Sequence, residues 1–208
     1  MICVLGCLDS KSGLVICKEM LSWLKPEHDV LEIHQPMPGS LYEYPALNYV
    51  IRTAIDMNEP VLYLHTKGAG NPIPPKMTDY ILNEKIKHPK EVKPGDCQKT
   101  VRNMWKHEFT GERLNDYLKV VNTNEPYVAC PLTGKEKVTW QNGFIINPAA
   151  AKILKNSFHL SKNRYYYENM FCKTSIKVVG LISNSCHREN KIYQKIMWNY
   201  IWPFFNLN

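Results

Sequence analysis

Apolar residues fill positions 2–8, I-C-V-L-G-C-L, in one unbroken run of strand length, the pattern of a strand buried on both faces. A polar turn, D-S-K-S-G, follows at 9–13. From 14 to 24 the apolar positions return at helical spacing and stop at Lys25-Pro26, which predicts a helix. A second strand is expected at 29–34, a Pro/Gly loop at 35–39, a second helix at 41–57 and a third strand at 61–64. Strand–helix–strand–helix–strand in so short a span implies parallel strands covered by helices. Ligands in such sheets bind beyond the carboxyl ends of the strands. Asp9 follows the first strand and His65 the third, so both are expected on one rim.

The remainder is less regular. A Gly/Pro-rich loop covers 66–76, and helices are predicted at 77–87, 98–109 and 112–121, with a charged connection at 88–96. Strands are expected at 127–130 and 140–146. Pro148 suits the first turn of a helix over 148–154. A helix at 164–172, a strand at 175–181 and a helix at 191–200 complete the pattern. The tail I-W-P-F-F-N-L-N is strongly apolar; it either packs back on the domain or meets a partner, such as a further domain after the C-terminus. The expected fold class is α/β, a central mostly parallel sheet with helices on both faces, in a single domain over 1–208.

Composition narrows the classes. The chain has 208 residues, 44% hydrophobic and 22% charged, ordinary values for a globular protein. No apolar run approaches the roughly 20 residues of a membrane span, and the N-terminus reads as a strand rather than a signal peptide. Seven cysteines without C-x-x-C spacing read as reduced, buried thiols of a cytoplasmic protein, with no zinc site expected. Net charge is +7, and from residue 151 onward nine Lys or Arg face only Glu168 and Glu189. Such a surface attracts polyanions. The candidates are nucleic acid, acidic lipid and a phosphorylated small molecule; no RNP, zinc-finger or helix-turn-helix pattern accompanies the charge, and a phosphorylated ligand fits at least as well.

The chain contains no G-x-G-x-x-G, no G-x-x-x-x-G-K-[ST] and no G-x-S-x-G, which moves dinucleotide enzymes, P-loop kinases and α/β-hydrolases down the order. What it does contain is V-L-Y-L-H-T-K-G at 61–68: a buried strand running directly into an imidazole, a hydroxyl, an ammonium and a glycine. Two further segments stand out, R-N-M-W-K-H-E-F at 102–109 and W-Q-N-G-F-I-I-N-P-A-A-A-K-I-L at 140–154.

In that order these segments resemble glycosyltransferases of the GT-A type. In that fold a strand at this point ends in D-x-D, whose carboxylates hold a divalent cation against the donor diphosphate. Here the tripeptide is His65-Thr66-Lys67. The chain is similar to the bacterial and large-DNA-virus transferases that carry H-[ST]-K-G at this place, among them chlorella-virus enzymes that glycosylate the capsid protein. The resemblance implies a nucleotide-binding half to about residue 75 and an acceptor-binding half after it.

It implies that His65, Thr66, Lys67 and Gly68 hold the diphosphate. A fixed lysine can stabilise the departing negative charge as a metal would, each of its hydrogen bonds to phosphate contributing about 1.5–3 kcal/mol. The site is then expected to need no metal; the variant is Mn2+ or Mg2+ held by His65 and Asp79. Leu8, Asp9 and Arg52 are the nucleotide candidates, although Asp9 reads equally as a turn residue and Arg52 as an exposed helix residue. Asp79 or Glu168 is the base of an inverting reaction; a helix-end charge for Asp79 and an ion pair with Arg164 for Glu168 are the structural alternatives. Trp105, Gln141, Asn142 and Gly143 are the acceptor candidates, Trp105 doubling as a core residue. The implied reaction moves a hexose or a deoxyhexose such as rhamnose from a UDP-linked donor to a glycan or glycoprotein hydroxyl, in the cytoplasm of a host cell if the protein is viral. A sugar-nucleotide or glycan-binding module without turnover, and a basic nucleic-acid-binding protein, are the competing classes.

Overall fold

The computed structural model describes residues 1–36, 43–66, 96–131, 143–161 and 166–182, together with Thr133, Lys137 and Thr139. In chain order the elements are β1 (Ile2–Asp9), α1 (Lys11–Leu24), β2 (Asp29–Pro36), α2 (Tyr44–Met57), β3 (Val61–His65), α3 (Asp96–Glu108), α4 (Gly111–Val121), β4 (Tyr127–Cys130), β5 (Phe144–Ile146), α5 (Pro148–Ser157), α6 (Tyr166–Asn169) and β6 (Lys177–Gly180). The helices expected at 77–87 and 191–200 lie outside the described residues.

The strands form one six-stranded sheet in the order β2-β1-β3-β5-β4-β6. β1 pairs in parallel with β2 and β3, and β4 with β6. β5 lies antiparallel between β3 and β4. The fold is α/β as expected, but the sheet is mixed. The reversal has a simple cause. β4 and β5 pair as sheet neighbours, and no helix lies between them among the described residues; strands that follow each other without a crossover helix meet antiparallel. Of the strand expected at 140–146, β5 holds Phe144–Ile146; 140–142 lie outside the described residues.

Two apolar cores cover the two faces. Leu5, Cys7, Leu62 and Leu64 face α1, α3 and α4 through Met20, Trp23, Met104, Trp105, Phe109 and Tyr117. Val4, Val61, Tyr63, Phe144 and Ile146 face α2, α5 and α6. This period-two partition explains why β1 and β3 read as unbroken apolar runs: each is buried on both sides.

Local chemistry sets the helix starts. Ser10 caps α1, its hydroxyl accepting from the Gly13 amide at 3.0 Å. A Cβ at Gly13 would lie 2.0 Å from the Leu8 carbonyl oxygen, so only glycine lets α1 begin this close to the end of β1. Asn147 caps α5 and does more. It is fully buried; its side-chain oxygen accepts from the amides of Ala150 (2.9 Å) and Tyr127 (3.2 Å). Its amide nitrogen donates to the carbonyls of Val121, Thr123 and Glu125 at 3.1, 3.0 and 2.7 Å. One side chain therefore joins the end of α4, the start of β4 and the start of α5.

Two other buried polar groups fix helix positions. Glu108, 2% exposed, accepts from Arg113 (2.7 Å) and from the Tyr117 hydroxyl (2.6 Å), closing the corner between α3 and α4. His28 is buried and donates from Nε2 to the Phe109 carbonyl at 2.9 Å, tying the α1–β2 turn to the end of α3. Burial holds the His28 pKa below the ordinary histidine value.

Asn147→Ala should lower unfolding stability by about 3 kcal/mol in urea titration, the loss of a cap plus buried backbone groups left unpaired. Asn147→Asp should be at least as damaging, because it keeps the acceptor but sets a carboxylate against three carbonyls. For His28, the unfolded chain takes up a proton below about pH 6.5 that the folded chain resists. Stability should accordingly fall as pH drops from about 6.5 toward the depressed folded pKa, and His28→Gln should flatten that decline in urea midpoints measured from about pH 7 to pH 5.

Candidate functional site at the carboxyl ends of the central strands

β1 and β3 end side by side, with Gly6 opposite His65 in the ladder. The pairing continues one residue past β3: the Thr66 amide donates to the Gly6 carbonyl at 2.8 Å. The Thr66 hydroxyl accepts from the Leu8 amide at 3.0 Å. Thr66 is only 6% exposed. Its first role is thus to lock the two strand ends together, and it leaves the segment after it starting from a fixed point. Lys67 and Gly68 lie outside the described residues.

His65 stands on this rim with its side chain 13% exposed. Its Nε2 is 3.7 Å from the Glu43 carboxylate, and the Tyr63 hydroxyl donates to the other Glu43 oxygen at 3.2 Å. Glu43 sits at the N-terminus of α2, where the helix dipole favours a negative charge. Burial first, and the Glu43 charge second, push the Tyr63 hydroxyl pKa well above its ordinary value, so Tyr63 remains a donor. The Tyr63 and His65 rings lie 5.9 Å apart, and the Trp105 ring meets His65 edge-on at 5.5 Å.

Trp105 comes from α3 and is fully buried. It reaches across to Gly143, just before β5. A Cβ on Gly143 would lie 2.2 Å from the indole Nε1 and 2.5 Å from Cε2. Because β5 runs against its neighbours, its beginning rather than its end lies on the rim with His65. Glycine at 143 is what allows the indole to lie there. Of the residues singled out in the sequence, Leu8, His65, Thr66, Trp105 and Gly143 are thus gathered in one place. They come from β1, β3, α3 and the approach to β5.

Asp9, at the end of β1, is exposed and accepts from His34 Nδ1 at 2.9 Å. That hydrogen bond raises the His34 pKa above the ordinary value. Arg52 is exposed on α2. It follows Tyr44 by eight residues, about 12 Å along the helix axis, on the flank rather than the rim. Glu168 lies in the short helix α6 beside the buried Tyr167. Asp79, Gln141 and Asn142 lie outside the described residues.

Glu43 and Tyr63 are the members that sequence reasoning missed. Alternation along V-L-Y-L-H places Tyr63 and His65 on one face, a usable signal. Nothing in the sequence brings Glu43 to them, because that contact depends on how α2 returns to the sheet. Chemically, the rim offers a carboxylate, an imidazole and a phenol in hydrogen-bonding or ion-pair range, walled by an indole. The partly exposed imidazole and carboxylate can meet a ligand's hydroxyls, while the buried phenol and indole hold them in place.

The chain was compared with protein-family models, with curated proteins and with solved structures, and none of the three gave a match.

Gly143→Ala should force Trp105 from its position and lower stability by about 1–3 kcal/mol, the usual effect of overpacking. In a double-mutant cycle Trp105→Leu should recover part of that loss; additive effects would place the clash elsewhere.

Proposed function

We propose that this chain is a GT-A-type glycosyltransferase that moves a hexose or deoxyhexose from a nucleotide diphosphate sugar, UDP-linked, to a glycan hydroxyl. The observation that carries the reading is the convergence of His65, Thr66, Trp105 and Gly143 on the rim from which Lys67 and Gly68 continue. That is where an α/β sheet binds phosphorylated ligands. Support comes also from the lack of any helix among the described residues long and apolar enough to cross a membrane, and from the net charge of +7, which suits an anionic donor.

In this reading the bond between the anomeric carbon and the diphosphate oxygen breaks as the acceptor oxygen attacks that carbon. The negative charge left on the diphosphate is met by Lys67 and by His65, which Glu43 orients. The proton of the acceptor hydroxyl passes to a carboxylate, Asp79 or Glu168. Trp105, buried edge-on behind His65, holds that ring at the rim, and the acceptor sugar lies on the side of Gln141, Asn142 and Gly143. Tyr63 and Thr66 keep β3 and Glu43 in place. Leu8 and Asp9 lie at the nucleotide end, and Arg52 on the flank of α2 adds positive charge.

The test is thermal unfolding with UDP, GDP, CMP or dTDP, each in EDTA and in Mn2+. A nucleotide at 100 times its Kd should add about 2.7 kcal/mol, roughly 5–10 °C in Tm for a chain of this size. Stabilisation by UDP in EDTA, lost in Lys67→Ala and reduced in His65→Ala, is the expected result. Stabilisation only with Mn2+ would assign the diphosphate to a metal. Binding without hydrolysis or transfer of a UDP-sugar would make the protein a binding module. If no nucleotide stabilises it under any condition, the transferase reading fails.

A further inference from the structure

On the α1 side of β1, four side chains with metal-ligating atoms meet that the transferase reading does not use. Cys7 on β1 and His34 on β2 are direct partners in the parallel ladder, so their side chains point to the same face. Glu32, two residues before His34, points there too. One ligand atom from each of Cys7, Glu32 and His34 lies within 4.8 Å of those of the other two. Cys17, midway along α1, brings its sulfur to 2.6 Å from the Cys7 sulfur and 3.8 Å from Glu32 Oε2. Both cysteines are free thiols. His34 Nε2 is 3.5 Å from Glu32 Oε2.

The orientation of His34 is the second observation. Its Nδ1 donates to Asp9 at 2.9 Å, which leaves Nε2, the nitrogen facing Glu32, as the one an ion would take once its proton is released. A carboxylate holding one imidazole nitrogen while the other faces the ion is the usual outer arrangement of a histidine-ligated metal. We propose that Cys7, Cys17, Glu32 and His34 form a binding site for a divalent transition-metal ion of the zinc type, with Asp9 orienting His34.

Two sulfurs, one imidazole and one carboxylate make up a donor set for zinc rather than for magnesium or calcium, which take oxygen ligands. Zn–S bonds of about 2.3 Å in a tetrahedron separate the sulfurs by roughly 3.7 Å. The pair must therefore open by about 1 Å, within reach of small side-chain rotations. As the ion binds, both S–H bonds break, the protons go to solvent and the sulfurs ligate as thiolates. Glu32 and His34 are 30% and 42% exposed, so the ion enters from that side. The cluster is separate from the His65 site: Gly6, opposite His65 in the ladder, would place a Cβ against Ala46 of α2, whereas Cys7 belongs to the core under α1.

Co2+ added to the whole chain, kept reduced by a non-chelating phosphine, tests this. One equivalent should give thiolate-to-cobalt charge-transfer absorption and the visible bands of a tetrahedral ion, both bleached by one equivalent of Zn2+. Cys7→Ser should remove most of the charge-transfer band. His34→Ala changes a partly exposed residue, so it keeps the test valid if the Cys7 variant does not fold; it should weaken binding at least as much as Asp9→Asn. Asp9→Asn should weaken it about 10–100-fold. No thiolate band at excess Co2+ would overturn the site. So would a band that His34→Ala and Asp9→Asn leave unchanged, since it would belong to other cysteines. None of these readouts depends on glycosyl transfer, so failure here and failure of the transferase reading are separate results.

Discussion

The parallel pairing of β1 with β3, sealed by Thr66, is the constraint on which the rest of the molecule rests. Neither strand has a polar face: Cys3, Val4, Leu5, Val61, Leu62, Tyr63 and Leu64 are all essentially without exposure. A sheet built on such strands is stable only if helices cover both sides, and the helices must be long enough to bring the chain back between parallel strands. The α1 and α2 helices meet that demand on opposite faces. The same pairing fixes the rim, because two parallel strands joined by crossovers must end on the same side. Thr66 closes the ladder with one backbone and one hydroxyl hydrogen bond, the second satisfying the half-buried Leu8 amide.

The reversed strand β5 carries the second half of the fold onto that rim. Its three residues bridge β3 and β4, so the chain on either side of it lies at opposite edges of the sheet. Upstream lies Gly143 against Trp105; downstream lies Asn147 with its five hydrogen bonds. The segment W-Q-N-G-F-I-I-N-P therefore contains two different kinds of constraint within a few residues. Gly143 belongs to the site. Asn147 belongs to the scaffold, and is demanding because three carbonyls and two amides would lose their partner with it.

Buried polar groups elsewhere serve the same structural end. Glu108 binds Arg113 and Tyr117, and His28 binds the Phe109 carbonyl. Both stand at the junction of α3 with its neighbours, the helix that supplies Trp105. The segment R-N-M-W-K-H-E-F thus divides its work along the helix. Trp105 faces His65, and Glu108 and Phe109 anchor the turn that follows. A motif that looks like one functional unit in sequence is here one residue of site and two of support.

Periodicity alone determined the first five elements of the chain, because buried parallel strands and amphipathic helices write their burial directly into the order of apolar residues. The order of elements also put Asp9 and His65 on the same side of the sheet, and it marked the start of α5 through Pro148. Tertiary structure alone decided what composition cannot encode. It reversed β5, so that Gly143 rather than a strand end reaches the rim. It brought Glu43 to Tyr63 and His65, and it set Cys7 beside His34 and Cys17. Each of these contacts joins elements through a register or a helix packing angle, and no local pattern of residues specifies either. The cysteines show the difference most clearly. Their spacing predicts reduced, buried thiols, as Cys3, Cys7, Cys17 and Cys130 are; only the ladder between β1 and β2 and the packing of α1 above it place two of them with a histidine and a glutamate.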